Sequence, residues 1–590
     1  MNTRNIRITF YKTGTAWFCI GLCLLAVIIF KSWNAGIAGD GFGYYNYLPQ
    51  LFIYDNYNDF TWFKSVYAQY YKDQIVADPL QHFIVNVDHT PVNKYAPGLA
   101  LVWLPFFCMA HVCAWAFNMP ADGYALPYQM AIGIASVLAL GICLTYTLKL
   151  LRLWSVNYYP LRILGLLVMC FGTGLFQQAL WYSALSHVYA AAAFTAMVYY
   201  LEAYQRQNKT HALGFAAVAF ALLISIRPLL LLAVIIWIPY VVKRPVIKWR
   251  LKLMHVLSLI GCCIILFWTV FWNVKQYGTL WKYTYTQEYF TWLKPQWFHL
   301  LLNYSTGLVW NRPWILFGVC ALLFLKHKPL KYFALFYGVI VYVYSCWWYW
   351  PVLSRVFIDV ACIPVLGIIY VLYKYFLLKP KFGVVAALTL LLLSGWNSLK
   401  QYQQNSGIID AFSCDYDVFW RNAIRIKPAS VFSVPKNSIQ NYSCYSFKDF
   451  GSAIKSDIDF ELKPKNGFYE SQKLQIPKFI LQARFKKISF SYKAQCDVIP
   501  KQLHVWIRYY NTFNALITEI PFYLKHNQLY KDAELYQFGY SESPGDSVLQ
   551  KASKISFAIW MPDDDGKIKV SNTKFEFYST TDLYETVLTP

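Results

Sequence analysis

Long apolar runs recur from Thr13 to Trp396, each reaching or approaching the ~20 residues a helix needs to cross a bilayer. They predict spans over 14–34, 97–117, 125–148, 160–178, 186–204, 212–226, 228–242, 253–272, 313–325, 331–348, 356–376 and 382–396. Beyond residue 405 the pattern changes. "KKISFSYKAQC", "KQLHVWIRYYN", "SKISFAIWMP" and "KIKVSNTKFEFYS" alternate apolar and polar positions in short runs, which predicts an antiparallel sheet, read here as a β-sandwich. The chain therefore divides into a membrane module over 1–400, with large loops at 35–95 and 273–312, and a tail domain over 405–590.

Composition agrees with that division. Of the 590 residues, 57% are hydrophobic and only 14% charged, where a soluble protein carries about a quarter. Residues 1–400 hold 30 Lys and Arg against 10 Asp and Glu, and the tail is nearly balanced. The excess lies in short loops and reads as the positive-inside bias of a membrane protein. No basic stripe or recognition module suggests nucleic acid. The basic amino terminus precedes an apolar run too long for a signal peptide, and is read as cytoplasmic. Eleven of the 14 cysteines fall in apolar runs; Cys414, Cys444 and Cys496 allow at most one tail disulfide, Cys414–Cys444 being the pairing considered.

Basic clusters at Lys149/Arg152/Arg162, Arg206/Lys209, Lys243–Lys252, Lys326/Lys328/Lys331 and Lys374/Lys379/Lys381 mark the cytoplasmic side. The 35–95 loop, the Arg227 turn, the 273–312 loop, the "WWYWPVLSR" turn and the tail then share the opposite face. If 97–117 crossed fully, Lys149 to Arg162 would fall outside, so either 97–117 is re-entrant or interfacial or that basic loop breaks the rule; about eleven crossings are expected. The aromatic loops are expected to include short helices on the membrane surface.

Charge inside this apolar frame is sparse enough to single out. Asp40 lies in "GDGFG", where glycines permit a tight turn and a projecting carboxylate; a plain Asp-Gly turn is the simpler reading. Tyr44 and Tyr45 follow it. Six of the module's ten acids stand in the first external loop, Asp88 among them, and Lys94 and Tyr95 close that loop. Arg227 precedes Pro228 inside an apolar stretch, either snorkelling to water or binding a lipid phosphate. Arg355 and Asp359 stand at i and i+4, hence on one helix face, to pair with each other or to bind and orient a phosphate. His187 caps a span without metal-ligand neighbours in sequence, and Trp347 belongs to an interfacial Trp cluster. Asp563 to Asp565 could hold a cation but read first as a hairpin turn. No phosphate-binding loop, dinucleotide fingerprint or nucleophile elbow occurs.

Taken in order, the acid after span one, "NKYAPGLALVWLPFF", "SHVYAAAAF", "SIRPLLLL" and "WWYWPVLSRVFIDVACIP" resemble the bacterial membrane glycosyltransferases of the GT-C superfamily. These are relatives of protein O-mannosyltransferases and of the lipid A aminoarabinose transferase. The resemblance covers roughly 1–400; more weakly, the tail resembles a carbohydrate-binding β-sandwich. It implies transfer of a sugar from a polyprenyl-phosphate donor to a hydroxyl on a glycan, lipid or protein, usually with inversion. It also implies chemistry at the periplasmic face of the bacterial inner membrane, among membrane lipids. In this reading Asp40 is the general base, Arg227, Arg355 and Lys94 meet the donor phosphate, and Tyr44, Tyr45, His187, Trp347 and Asp359 line the cleft. Many members pair two acids in this loop. Here Gly41 follows Asp40, so the second acid is assigned to Asp88. A divalent cation is possible beside these acids, and no other cofactor is expected. Tyr349, Trp350 and Pro351 stand where related sequences have small residues. The competing readings are a transporter or flippase of a lipid-linked glycan, and a membrane-anchored glycan-binding protein.

Overall fold

The computed structural model describes residue 21, most of 36–426, and the strands of a second unit beyond 426. Outside the description within 36–426 lie 58, 72–78, 88–89, 243–252, 281, 283, 286–289, 305–306, 326–327, 348–352, 407 and 410–415. The expected span at 14–34, the second acid Asp88, the proposed Cys414–Cys444 pair and the Asp563–Asp565 run thus fall outside the described residues. Contacts divide the chain between Ile426 and Lys427. The helical unit runs past residue 400 because Phe419, on the short helix Tyr416–Arg421, packs with Ile409 against Trp310 and Trp396.

Four helices among the described residues are long and apolar enough to cross a membrane: Gly98–Ala116, Leu126–Leu153, Leu253–Tyr277 and Pro380–Asn405. Shorter apolar helices include Thr210–Ile226, Trp314–Phe324 and Cys362–Leu378. Gly98–Ala116 is one continuous helix, without the break a re-entrant segment would show. Pro105 lies within it, yet the helix continues for 19 residues without a break. The single span expected over 160–178 is instead interrupted. Tyr159–Leu167 runs into a π turn at Val168–Gly172, and Gly174, with φ of +86°, starts a separate helix, Leu175–Leu180. Pro228, which lacks an N–H, opens a 3-10 turn before Val234–Val241, as the sequence led one to expect.

His187–Gln207 forms the axis of the helical unit, packed against Leu126–Leu153 and Thr210–Ile226. Its run Ala190–Ala193 is buried throughout, and small side chains let neighbouring backbones come close. Leu253–Tyr277 is the opposite case. Its side chains are largely exposed and apolar, which suits a helix facing lipid.

The first loop contains the short helices expected of it, but Asp40–Pro49 does not lie on a surface. Every residue from Gly41 to Pro49 is buried. Tyr45 packs against Trp103, Phe107 and Tyr124, and Tyr47 against Trp272. Buried hydroxyls need partners, and these have them: Tyr45 donates to the Gly123 carbonyl, Tyr47 to that of Tyr95, and Tyr124 to Asn46. The hairpin Ile84–Val87 with Thr90–Asn93 follows, and Asn93 donates to the Gly43 carbonyl.

All four alternating tail runs are strands. One antiparallel sheet orders Leu535–Glu542, Phe485–Cys496, Ile568–Ser579 and Ile454–Ser456, with Phe460–Leu462 also on Ile568–Ser579. The other orders Gly467–Glu470, Lys554–Met561, His504–Tyr510 and Leu516–Tyr523, with Leu474–Gln475 also on Lys554–Met561.

Candidate active site

Asp40 opens its helix instead of completing a turn. The turn belongs to Gly39, whose φ of +56° is cheap only for glycine. The other two glycines of "GDGFG" serve close packing. A Cβ on Gly41 would come 2.5 Å from that of Ala184, and one on Gly43 would come 2.1 Å from the Tyr95 ring. This fit holds Tyr95 close enough to Asp40 for its hydroxyl to favour the ionised carboxylate.

From the far end of the unit, Nη2 of Arg355 reaches Oδ2 of Asp40 at 3.1 Å. The expected Arg355–Asp359 pairing does not form. The helix holding Arg355 ends at Val356, and Asp359 turns inward instead. Asp359 is buried, with Oδ1 2.8 Å from Nδ1 of His187 and Oδ2 3.0 Å from Nε of Arg227. Arg227 stands just past the end of Thr210–Ile226. It donates through Nη1 to Ser186 Oγ at 3.1 Å and through Nη2 to the Tyr344 hydroxyl at 3.3 Å. Ser186 in turn donates to Tyr44 at 3.2 Å. Neither snorkelling nor a pairing local in sequence accounts for Arg227.

Six of the residues singled out from sequence therefore share one neighbourhood: Asp40, Tyr44, His187, Arg227, Arg355 and Asp359. Lys94 joins it through its charge on Asp40, and its ammonium also lies 5.3 Å from the Tyr95 ring centre and 5.8 Å from that of Tyr285. Trp347 is at the margin, half-buried, 6.5 Å ring to ring from Tyr344. Tyr45 is not part of the neighbourhood; its ring and hydroxyl are consumed in the aromatic core described above. Sequence reading missed Ser186 and Tyr344. Ser186 is next to His187, a signal that was available, but nothing in "VYVYSC" separates Tyr344 from its neighbours.

Electrostatically the neighbourhood favours an anion. Three cationic side chains, Lys94, Arg227 and Arg355, face two carboxylates. The helices Asp40–Pro49 and His187–Gln207 begin here, and Cys362–Leu378 begins three residues after Asp359. Helix starts carry partial positive charge. Crowding by protein works to raise the Asp40 pKa, but Arg355, the Tyr95 hydroxyl, Lys94 and His187 outweigh it and hold the carboxyl below its ordinary value. Asp40 is therefore ionised at neutral pH while its side chain remains 38% exposed. Among the described residues no three of His, Cys, Asp and Glu stand together as metal ligands.

No family model and no curated protein matches the chain. Among solved structures it is similar to the arabinosyltransferase EmbB from Mycobacterium smegmatis, determined by single-particle cryo-EM, with 10% identity and a TM-score of 0.30. The match covers 77% of this chain and spans 58% of the length of that one. A likeness of that size assigns neither a fold nor an activity.

Proposed function

We propose that the chain is a membrane glycosyltransferase that moves a sugar from a polyprenyl-phosphate donor to a hydroxyl acceptor, with Asp40 as general base. One observation carries this reading: an ionised, partly accessible carboxylate lies in one neighbourhood with Arg227, Arg355 and Lys94, although these residues are far apart in the chain. Such a site matches a reaction in which a hydroxyl must lose a proton while negative charge leaves on phosphate.

The step runs as follows. The acceptor oxygen attacks the anomeric carbon and its proton passes to Asp40. The bond from that carbon to the phosphate oxygen breaks, its electron pair leaving with the lipid phosphate. Attack opposite the departing group inverts the anomeric centre. Arg355 and Lys94 stabilise the departing phosphate, and Arg227, held by Asp359, adds fixed positive charge. His187–Gln207 is 21 residues, about 30 Å at 1.5 Å per residue, and Arg206 marks its other end. With Arg206 cytoplasmic by the positive-inside bias, the cleft opens at the periplasmic face of the inner membrane. The tail is assigned to glycan binding.

The test is transfer in membrane vesicles supplied with a labelled polyprenyl-phosphate sugar pool, comparing wild type with Asp40→Asn. Label moving to an acceptor in wild type alone supports a transferase with its base at Asp40. Equal transfer by both removes Asp40 from the base role and makes Asp88 the next variant. No transfer by folded protein, with several donors tried, favours export of a lipid-linked glycan instead.

A further inference from the structure

The two carboxylates of the cleft are held differently. Asp359 has a fully buried side chain; its Oδ1 lies 2.8 Å from Nδ1 of His187, and its Oδ2 makes an ion pair with Nε of Arg227 at 3.0 Å without hydrogen-bond alignment. Its partner Arg227 has each guanidinium nitrogen engaged: Nε by Asp359, Nη1 by Ser186, Nη2 by Tyr344. This is a fixed framework, since breaking a buried pair strands a charge away from water. Asp40 and Arg355 are the contrast. They meet through one nitrogen and one oxygen, with 38% and 32% of their side chains exposed. Among the described residues Arg355 makes no second hydrogen bond or ion pair. A single-point, solvent-screened pair is weak, and a guanidinium prefers the geometry of a phosphate, which offers two oxygens to its fork.

From this difference we infer that Arg355 exchanges partners during the reaction, leaving Asp40 for the donor phosphate and so releasing the carboxylate to act as base only when an anionic donor is in place. This inference rests on the transferase reading and deepens it. Once Arg355 has moved, Asp40 still faces the Tyr95 hydroxyl, Lys94, His187 and Tyr44. It loses the strongest of the charges that favour its ionised form, so its affinity for the acceptor proton rises when that proton must be taken. A bound neutral molecule would leave Arg355 on Asp40 and the base masked. The device thus couples donor charge to catalysis and disfavours side reactions with sugars that have no phosphate.

The exchange has a thermodynamic signature that needs no turnover. Full-length protein in lipid nanodiscs is titrated with a polyprenyl monophosphate, the lipid leaving group itself, as wild type, Asp40→Asn, Arg355→Gln and the double variant. Arg355→Gln should weaken binding about tenfold or more, as loss of a charge-assisted contact does. Asp40→Asn should tighten binding about two- to fivefold, the size of an exposed pair that no longer has to be broken. In the Arg355→Gln background the Asp40→Asn gain should vanish. An equal gain in both backgrounds means simple repulsion by Asp40 and overturns the exchange while leaving the donor reading intact. Weaker binding by Asp40→Asn also overturns it. Wild-type protein that is monodisperse and does not bind the phosphate removes the donor reading and the exchange together. Arg355→Lys guards against misfolding: it keeps the charge, and it should retain part of the coupling between positions 40 and 355.

Discussion

Nδ1 of His187 and Oδ1 of Asp359 lie 2.8 Å apart, brought together from positions 172 residues apart in the chain. A carboxylate on Nδ1 fixes the imidazole proton there and leaves Nε2 as the nitrogen available to a ligand. The same carboxylate neutralises Arg227. Asp359→Asn keeps the shape but removes the charge, which leaves the Arg227 guanidinium without its counter-charge in a largely buried place. The variant should lose about 3 kcal/mol of stability, at the low end for a broken buried pair because Arg227 retains some exposure. Unfolding curves in detergent measure this. A variant as stable as wild type would mean that the pair contributes nothing to holding the cleft.

The packing of Gly43 makes a sharper structural prediction. A methyl group there would meet the Tyr95 ring at 2.1 Å and the Cβ of Phe83 at 2.9 Å. Tyr95 must then shift, and its hydroxyl moves away from where it favours the ionised Asp40 carboxylate. Gly43→Ala should cost about 1–3 kcal/mol of stability, the usual range for overpacking, and should reduce transfer further than the stability loss explains. Gly39→Ala is the control. It meets open space but holds a φ of +56°, so its cost should be about 1 kcal/mol of backbone strain.

The pH dependence of transfer follows from what surrounds Asp40. Burial pushes its pKa up, and Arg355, Tyr95, Lys94 and His187 together bring it below the ordinary carboxylate value. The base is therefore protonated only at pH values below that range, and activity should fall on acidification through the lowered pKa. Arg355→Gln removes the largest of the lowering influences. Its acid limb in kcat/KM should move to higher pH than that of wild type. An acid limb that stays in place would show that Arg355 does not set the proton affinity of Asp40 in the free protein.

How much of this was legible in the sequence can be judged residue by residue. Apolar runs located most of the long helices among the described residues, and the alternating tail runs located four strands, because both signals are local and repeat along the chain. The unusual charges in an apolar setting, Asp40, Arg227, Arg355 and Asp359, were also visible, since cost alone makes such residues conspicuous. Their pairing was not visible. Spacing of i and i+4 put Arg355 and Asp359 on one helix face, with their pairing as one of two readings, and the structure pairs each with a group from another segment because the helix ends at Val356. The break near residue 172 was missed as well: one unbroken span was expected over 160–178, while the π turn that Gly172 and Gly174 adjoin depends on tertiary packing. The aromatic loop was misread for a related reason. Tyr and Trp suggest a membrane interface, and only the partners of their hydroxyls reveal that Asp40–Pro49 is buried.

Tyr44 and Tyr45 turn that last point into a paired experiment. Adjacent residues on a helix point about 100° apart, so two tyrosines that sequence cannot tell apart serve different parts of the protein. The Tyr44 hydroxyl accepts from Ser186, which itself accepts from Arg227, and so it belongs to the framework of the cleft. The Tyr45 hydroxyl donates to the Gly123 carbonyl, away from any charge in the cleft. Tyr45→Phe strands that carbonyl and should cost about 1–2 kcal/mol of stability, with transfer unchanged per folded molecule. Tyr44→Phe should cost similar stability but lower transfer, by weakening the hold on Ser186 and Arg227. Transfer assays normalised to folded protein in vesicles separate the two. Equal loss of transfer in both variants would place Tyr45 back in the cleft, and no loss in either would detach the Ser186–Arg227 framework from the reaction.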